Sequence, residues 1–361
     1  MSDFSASKSQ VAPLPERQYE SPGGTPAIGT GSDRENWAKR LVVSCAKAIH
    51  ESPAVYPILV KSFRGLQQLG FNLTPNHFYW PVPDVSELEK RDWAVYSTPP
   101  GCDFDLGKQI ALAREFFANY GKEYSFPVTP SAECYHYNNG YFEAVDAEVA
   151  YCMVRRYKPA RIVEIGTGYS TRVLAAALQA NSLRDGLDGQ LVSVDPNPAR
   201  FSQNGWRDLV VQIPQAVQDL DLEFFDRLES SDILFIDSSH VVGTGSDVIR
   251  EYLQVLPRLK PGVLVHMHDI FLPADYPRDL VLNNLWFWSE QYLLQAFLSF
   301  NKEFEVLWNS SALQMGCPFV LEQCFPHWRH SYRDMPKSKR RFVPTMDRDR
   351  VWPSSFWMKR L

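Results

Sequence analysis

The stretch ARIVEIGTGYST, residues 160–171, combines the features that decide the fold of this chain. Its first half is a short apolar run, which predicts a buried β-strand. Gly166 and Gly168 follow, and glycine lets a strand turn tightly into a helix and lets a ligand approach the backbone. Ser170 or Thr171 can cap that helix, whose N-terminus offers unpaired N–H groups. The stretch therefore predicts a strand, a tight turn and a helix, with a ligand site at the turn.

Further apolar runs follow at intervals, separated by polar or helical stretches. They are QLVSVD (190–195), LVVQI (209–213), DILFID (232–237) and GVLVHMHD (262–269). Strands that are apolar throughout and alternate with helices predict a parallel sheet covered on both faces. Because such sheets bind ligands at the carboxyl ends of their strands, the residues that end each run are the candidate site residues.

Glu164, two residues before the first glycine, separates two kinds of nucleotide site. A GxG turn after a strand also opens nicotinamide-binding folds, in which a third glycine would fall at Thr171. A carboxylate at Glu164 would repel a pyrophosphate, but it suits a cation such as the amino-acid end of S-adenosylmethionine. Asp195, which ends the second strand, can accept hydrogen bonds from ribose hydroxyls in either fold. The pattern favours S-adenosylmethionine and leaves a nicotinamide dehydrogenase as the weaker alternative.

Four motifs occur in a characteristic order: EIGTGYS (164–170), VDPNP (194–198), LFIDSSH (234–240) and LKPGVLVHMHDIF (259–271). Together they resemble the class I S-adenosylmethionine-dependent methyltransferases, in particular their cephalosporin-hydroxylase-like, small-molecule branch. The resemblance covers residues 140–361. It implies an α/β, Rossmann-like sheet of seven strands, mostly parallel, whose last strand is antiparallel. EFEVLWNS (303–310) and SSFWMKR (354–360) would supply the last pair, and Ser170 stands where the common pattern has a third glycine.

The resemblance also implies which residues contact S-adenosylmethionine. Glu164 and the backbone of residues 166–168 would hold the methionine part, Asp195 the ribose, and Gln218 with Asp219 the adenine amine. For Gln218 and Asp219 an ordinary polar loop stays open as the alternative. The predicted cofactor-binding residues are Glu164, Gly166, Thr167, Gly168, Ser170, Asp195, Gln218, Asp219 and Asp237.

Acidic residues end the fourth and fifth strands, so Asp237 and Asp269 should face the same crevice. In the catechol-type O-methyltransferases, acidic residues at these two strand ends bind magnesium, and a basic side chain three residues beyond the first deprotonates the substrate. That position is His240 here. Histidine titrates near neutrality, so it can accept a proton from a hydroxyl or amine, and its neutral ring can also bind a metal.

His266 and His268 alternate with Met267, so both should project from one face of the strand. His266 lies deeper in the strand, where a buried, hydrogen-bonded core histidine is the usual case. Two carboxylates with one or two imidazoles suit magnesium, manganese, iron or zinc. The predicted catalytic residues are His240, Asp269 and His268, and the predicted metal ligands are Asp237, Asp269 and His268.

The composition is that of a globular protein with two domains or one domain and an appendage. The chain has 361 residues, of which 45% are hydrophobic and 22% charged. A net charge of -5 is too balanced for a dedicated nucleic-acid binder. No run approaches the roughly 18 apolar residues of a membrane helix, and the six cysteines are dispersed without a CxxC pair. We therefore expect a cytoplasmic protein with free thiols, whose partner is neither nucleic acid nor membrane.

Three regions are predicted along the chain. Residues 1–35 mix Ser, Pro, Gly and charge without periodicity and predict a flexible arm. Residues 36–139 are mostly helix and loop and predict a helical cap or lid, and residues 140–361 predict the catalytic domain. The aromatic cluster at 285–288, with further apolar residues at helical spacing, predicts a core helix face. A subunit contact in a homodimer is the second interpretation of that cluster.

These features predict transfer of a methyl group to an oxygen, with nitrogen as second choice, of a small natural-product-like acceptor in a biosynthetic reaction. His240 would be the base, and Asp237 and Asp269 would orient the acceptor directly or through a magnesium, manganese or iron ion. Two alternatives stay open. One is an S-adenosylmethionine-binding or metal-dependent enzyme that performs cyclisation or hydroxylation; the other is a non-catalytic binding module.

Overall fold

The computed structural model describes most of the chain from residue 99 onward and part of what precedes it. The described residues are 63, 65–72, 74, 79–93, 99–131, 134–198, 209–340, 343–345 and 347–361. The predicted arm and the first part of the predicted cap lie outside them. The chain divides into two compact units, Met1–Trp80 and Pro81–Leu361. In the first unit, residues 65–68 are helical.

The second unit is built on a mixed sheet of seven strands. The strands are β1 Arg161–Ile165, β2 Gln190–Val194, β3 Val210–Ile213, β4 Ile233–Ile236, β5 Leu264–Met267, β6 Phe304–Asn309 and β7 Phe356–Arg360. Their order in space is β3-β2-β1-β4-β5-β7-β6. The first five are parallel, whereas β7 pairs antiparallel with both β5 and β6. This confirms the predicted Rossmann-like α/β sheet with an antiparallel last strand.

Helices connect the strands. They are α1 Val85–Glu89, α2 Leu106–Tyr120, α3 Asp146–Tyr157, α4 Tyr169–Asp185, α5 Asp247–Arg250, α6 Arg278–Leu282, α7 Glu290–Leu298, α8 Ser310–Gly316, α9 Pro318–Cys324 and α10 Lys337–Arg340. The helix that begins with α5 continues as a π turn, Glu251–Val255, and a 3₁₀ turn, Leu256–Arg258. Short 3₁₀ helices also cover Val217–Asp219, Leu222–Arg227 and Pro326–His330.

Alternate side chains of the central strands enter two different hydrophobic clusters. In β4, Ile233 and Phe235 belong to one cluster, whereas Leu234 and Ile236 belong to the other. All four are fully buried. Because successive side chains of a strand point to opposite faces, this division shows that the sheet is covered on both sides. It is also the reason why the strands are apolar throughout instead of alternating with polar residues.

Helix α2, which the sequence prediction places in the cap, packs on the antiparallel end of the sheet. Its Phe116 is fully buried, with the ring centroid 6.2 Å from that of Trp308 in β6. The side chain of Gln109 accepts a hydrogen bond from the backbone N–H of Asn309 at 2.7 Å. This helix therefore shares the core of the sheet.

Two further expectations concern cysteines and membrane segments. The described cysteines are free thiols: Cys102, Cys134, Cys152, Cys317 and Cys324. Within the described ranges, no helix combines the length and the apolar character needed to cross a bilayer.

Candidate active site

A cavity of about 750 Å³ opens at the carboxyl ends of the parallel strands. All of the predicted site residues except Glu164 and Asp219 lie on its wall. Those on the wall are Gly166, Thr167, Gly168, Ser170, Asp195, Gln218, Asp237, His240, His268 and Asp269. The fold therefore brings the motifs of β1, β2, β4 and β5 to one space, as expected for ligand binding at strand ends.

The turn after β1 requires glycine at its first position. Gly166 has a φ of +97°, and a Cβ added to it would lie 2.1 Å from the backbone oxygen of Asp237. Any side chain there would push the end of β1 away from the end of β4. Gly168 differs, because a Cβ added to it would meet nothing within 4 Å. The backbone beside Gly168 therefore borders open space in which a ligand can approach it.

Glu164 lies behind this turn and not on the cavity wall. It is fully buried, and the hydroxyls of Ser170 and Thr171 donate to its two carboxyl oxygens, both at 2.8 Å. Burial raises the pKa of Glu164 to about 8, although these hydrogen bonds act in the opposite direction. The Thr171 hydroxyl also accepts from the backbone N–H of Gly168 at 2.9 Å. In this structure Glu164 shapes the turn through its neighbours.

The predicted ribose and adenine residues follow β2 and β3. Asp195 lies on the cavity wall, and its carboxylate accepts a hydrogen bond from the backbone N–H of Asn197 at 2.6 Å. Gln218 lies on the wall with Ala216 and Val217. Asp219 is exposed and off the wall.

A buried cation that sequence reasoning missed lies on the same wall. Arg172, in the first turn of α4, is only 8% exposed and lines the cavity. Its guanidinium donates to the carbonyl oxygens of Ser131 and Cys134, at 3.1 and 3.5 Å, and its Nε is buried without a hydrogen-bond partner. Among the residues that the structure describes, no carboxylate is paired with this guanidinium, and a buried unpaired charge is costly, so this wall suits an anionic group of a ligand. S-adenosylmethionine carries such a group, its carboxylate.

Asp237, His240 and Asp269 converge at the far side of the cavity. The Nε2 atom of His240 lies 3.5 Å from a carboxylate oxygen of Asp237 and 3.5 Å from one of Asp269. One potential ligand atom from each residue lies within 4.8 Å of the others. His240 and Asp269 have φ values of +62° and +56°, a left-handed conformation that is unfavourable for residues other than glycine. Such backbone strain is typical of functional sites.

The orientation of His240 is fixed by a second carboxylate behind it. Its Nδ1 lies 2.8 Å from Glu290, which is 1% exposed and also accepts from the Tyr252 hydroxyl at 3.0 Å. A carboxylate at Nδ1 keeps a proton on that nitrogen, so Nε2 is the ring atom that faces Asp237 and Asp269. Burial by itself lowers the pKa of His240, but hydrogen bonds to Asp237 and Glu290 raise it well above its ordinary value.

His268, which directly follows β5, also lies between a buried carboxylate and the Asp237–Asp269 pair. Its Nδ1 lies 3.6 Å from Asp237 and 3.7 Å from Asp269, and its Nε2 lies 3.6 Å from Asp146. Asp146 is held by hydrogen bonds from the Ser310 hydroxyl and the backbone N–H groups of residues 354 and 355. Burial lowers the pKa of His268, but the charges of Asp269 and Asp237 raise it well above its usual range.

His266 lies outside this cluster of charges. It is fully buried and stacks on Phe235 at 3.7 Å, and its Nε2 lies 2.9 Å from the Ser355 hydroxyl. Burial, followed by the charge of His268, lowers its pKa well below the usual value. A neutral histidine packed on an aromatic ring agrees with the core interpretation made from the sequence.

The site holds more negative than positive charge. The carboxylates of Asp146, Asp237, Asp269 and Glu290 surround two imidazoles, so two negative charges remain even when both rings are protonated. Uncompensated charge is unfavourable in a mostly buried site. Each imidazole also has one nitrogen toward a buried carboxylate and the other toward the Asp237–Asp269 pair, as histidine ligands of metals commonly do. These residues fit a divalent cation.

Glu290 and Asp146 are site residues that the sequence did not reveal. The segment 285–288 was predicted as a core helix face, but it is a loop before α7 with half-buried tryptophans. Glu290 follows it, and Asp146 begins a helix that precedes β1. Both are acidic residues on helices whose other faces are apolar. That is a weak signal, because an exposed acidic residue at a helix start is common.

A family profile described as a methyltransferase domain matches residues 163–270. An uncharacterised protein of Archaeoglobus fulgidus is 31% identical over 175 residues, which are 46% of this chain and 77% of that protein. Solved structures of low identity are also similar. A Podospora anserina methyltransferase, PaMTH1, bound to SAH has a TM-score of 0.33 at 16% identity, covering 54% of this chain and 81% of its own. A cmcI structure titled with magnesium and SAM has a TM-score of 0.28 at 14% identity, covering 60% and 71%.

The chain belongs to the class I S-adenosylmethionine-dependent methyltransferases, as its motifs predict. The methyltransferase domain makes it an S-adenosylmethionine-dependent enzyme.

Proposed function

We propose that this protein is a cytoplasmic O-methyltransferase that acts on a hydroxyl group of a small biosynthetic acceptor. The observation that carries the proposal is the position of His240, whose Nε2 lies between Asp237 and Asp269 on the wall of the cofactor cavity. A hydroxyl is a weak nucleophile that must lose its proton as the methyl group arrives, whereas a neutral amine is nucleophilic already. A fixed imidazole base is therefore more useful for an oxygen acceptor than for a nitrogen acceptor.

The roles of the residues follow from this geometry. S-adenosylmethionine supplies a methyl group bound to a positively charged sulfur. His240 Nε2 takes the hydroxyl proton of the acceptor, and Glu290 stabilises the imidazolium that results. Asp237 and Asp269 orient the acceptor oxygen toward the methyl group, and His268 supports them from β5.

The cofactor is assigned to the turn after β1 and the ends of β2 and β3. Glu164, Thr167 and Ser170 shape or line the turn, and the backbone between Gly166 and Gly168 faces the methionine part. The set is completed by Asp195 at the ribose, Gln218 at the adenine and Arg172 at the carboxylate. The exposed position of Asp219 gives its adenine role no support.

A divalent cation would be held by Asp237 and Asp269 together with His268, and it would increase the acidity of a bound hydroxyl. The surplus negative charge of the site supports this assignment. It also bears on His240, since the carboxylates that raise its pKa are those that a cation would neutralise. A cation held by these carboxylates would lower the pKa of His240, which would then be available as the neutral base.

The test compares His240→Ala with the wild type and with His330→Ala, an exposed histidine used as control. Formation of S-adenosylhomocysteine is measured with a panel of hydroxylated acceptors, and cofactor binding is measured by calorimetry. We expect His240→Ala to lower kcat by about 10² to 10⁴-fold, the usual contribution of a general base, with cofactor affinity within about twofold of wild type. Full activity of this variant would remove His240 from the mechanism. A product that gains oxygen instead of a methyl group would favour hydroxylation.

A further inference from the structure

A second cavity, of about 90 Å³, adjoins the cofactor cavity. We call it the aromatic chamber, because Tyr141, Trp286, Trp288 and Trp352 form much of its wall. It shares Tyr141, Trp288, His268 and Asp269 with the wall of the cofactor cavity. The two spaces therefore meet beside Asp269, where the proposed function places the acceptor hydroxyl.

The aromatic side chains of the wall are held in place by contacts with one another and with residues outside the chamber. The rings of Trp286 and Trp288 stack with centroids 4.9 Å apart, and Trp288 lies 4.8 Å from the ring of His240. The indole N–H of Trp352 donates to the Ser311 hydroxyl at 2.9 Å, and its ring packs edge-on to Phe271. Rings fixed in this way lose little conformational entropy when a ligand binds.

The segment between β6 and β7 supplies one side of the chamber. Val343, Pro344, Val351 and Trp352 all come from it. It closes against the segment before α3, since a Cβ added to Gly140 would lie 3.2 Å from the side chain of Lys339. This part of the chain is an insertion in the sheet and not one of its motif-bearing strand ends, so its side chains can determine which acceptor enters.

Polar groups on the chamber wall are largely engaged with the protein itself. The Glu143 carboxylate accepts from the backbone N–H groups of Asn138 and Gly140, at 3.0 and 2.6 Å. Asp146 accepts from three donors, as described above. Of the charged side chains on the chamber wall, His268 and Asp269 also line the cofactor cavity, and Asp269 accepts a hydrogen bond from the Ser354 hydroxyl at 3.2 Å.

The placement of polar and aromatic groups on the chamber wall determines which shape and polarity of ligand it can bind. A sugar ring carries hydroxyls around its edge, each of which needs a hydrogen-bond partner when buried. The charged groups that face both cavities, His268 and Asp269, lie at one end of the chamber, and aromatic side chains form much of the rest of its wall. A flat apolar ring with a hydroxyl at one end matches it, since aromatic rings pair favourably beyond the area that they bury. A phenolic hydroxyl, like that of tyrosine, also ionises near pH 10, so it yields its proton to a base more readily than an aliphatic alcohol.

We propose that the aromatic chamber binds the ring of a phenolic acceptor and directs its hydroxyl toward Asp269. The inference deepens the proposed O-methyltransferase function and rests on it. It assigns Trp352, and with it the segment between β6 and β7, to acceptor recognition.

The test uses two probes of matched shape, 4-methylphenol and its saturated counterpart 4-methylcyclohexanol. Binding to the protein loaded with S-adenosylhomocysteine is measured by calorimetry. We expect the phenol to bind about 3- to 10-fold more tightly than the alcohol, the usual advantage of an aromatic pair. Trp352→Leu, which keeps an apolar side chain but no ring, should remove this advantage and leave the alcohol unaffected. Trp352→Phe should retain most of the preference for the phenol. Phe300 is an 85% exposed aromatic residue outside the chamber, so Phe300→Ala should change the affinity for neither probe.

Equal binding of the two probes, no binding of either, or unchanged phenol binding by Trp352→Leu would overturn the inference. Methyl transfer from S-adenosylmethionine separates it from the proposed function. If both probes bind equally and the alcohol is methylated, the phenolic assignment fails and the O-methyltransferase proposal stands. If the phenol binds in a Trp352-dependent way but wild type produces only a product that is not an O-methyl ether, the chamber stands and the proposed reaction fails.

Discussion

Arg172 carries a buried positive charge on the cofactor-cavity wall, and the partners described for it are backbone carbonyls. Its ring neighbour is Tyr169, 5.0 Å below the guanidinium. Neither contact neutralises the charge. A carboxylate brought in by the ligand would do so, and this is the reason for assigning the methionine carboxylate of the cofactor to Arg172.

Substitution of Arg172 should therefore discriminate between ligands with and without a carboxylate. We expect Arg172→Met to weaken the binding of S-adenosylhomocysteine by about 10- to 100-fold, which corresponds to the loss of a charge-assisted hydrogen bond. Arg172→Lys should weaken the binding less. Affinity for 5′-methylthioadenosine, which lacks the amino-acid part, should stay within about threefold of wild type. Calorimetry measures both ligands. An equal loss of affinity for S-adenosylhomocysteine and 5′-methylthioadenosine would mean that Arg172 supports the turn and does not bind the carboxylate.

The residues of the site were predictable to different degrees. Asp237 and Asp269 each end an apolar run, and His240 follows three positions after the first, so all three could be placed from the sequence. Glu290 could not be placed from the sequence. It lies fifty residues after His240, and the packing of α7 brings the two side chains together. Tertiary contacts of this kind leave no periodic pattern in the sequence.

At the scale of secondary structure, the turn between β1 and α4 depends on the close approach of two strand ends. Gly166 N donates to Val194 O at 2.9 Å, and Asp237 N donates to Ile165 O at 2.9 Å. The carbonyl of Asp237 occupies the place of a Cβ on Gly166. A single methyl group at this position therefore disturbs both the sheet and the site.

We expect Gly166→Ala to lower the free energy of unfolding by about 1–3 kcal/mol or more, because it adds backbone strain and a clash with Asp237. Gly168→Ala is the matched control, since its φ of -173° is extended and its Cβ would meet nothing within 4 Å. Chemical denaturation compares the two variants. Equal stability of Gly166→Ala and wild type would contradict the described geometry of the turn.

Elements with a strong apolar pattern were predicted well. The runs at 160–166, 190–195 and 232–237 became β1, β2 and β4 within one or two residues. The helix from Asp247 was predicted only as a helical stretch, and its π turn at Glu251–Val255 was not foreseen. Glu251 in that turn is fully buried and accepts from Ser238 beside the site. A period of 3.6 residues cannot distinguish such a local widening from a regular helix.

On the scale of the whole molecule, the functional residues at the carboxyl ends of the parallel strands come from segments that are far apart in sequence. The cofactor wall comes largely from residues 166–218 and the acid–base cluster from residues 237–290 with Asp146. The aromatic chamber is formed by residues of 140–146, 268–269, 286–288, 343–344 and 351–354. The motifs predicted most of the cofactor wall and four residues of the acid–base cluster, because these residues follow the strands directly, but they did not predict Arg172, Glu290 or Asp146. The chamber could not be predicted, since Trp288 and Trp352 reach the wall of one cavity only through the route of the chain between β6 and β7.

The central claim is that the cavity at these strand ends is an S-adenosylmethionine site whose metal-binding side lies toward the acceptor. The direct test is a calorimetric titration of the full chain with S-adenosylmethionine and with NAD, each with and without EDTA. We predict one molecule of S-adenosylmethionine bound per chain, with an affinity that EDTA changes less than threefold, and no binding of NAD. Binding of NAD, or failure to bind S-adenosylmethionine under either condition, would contradict the account.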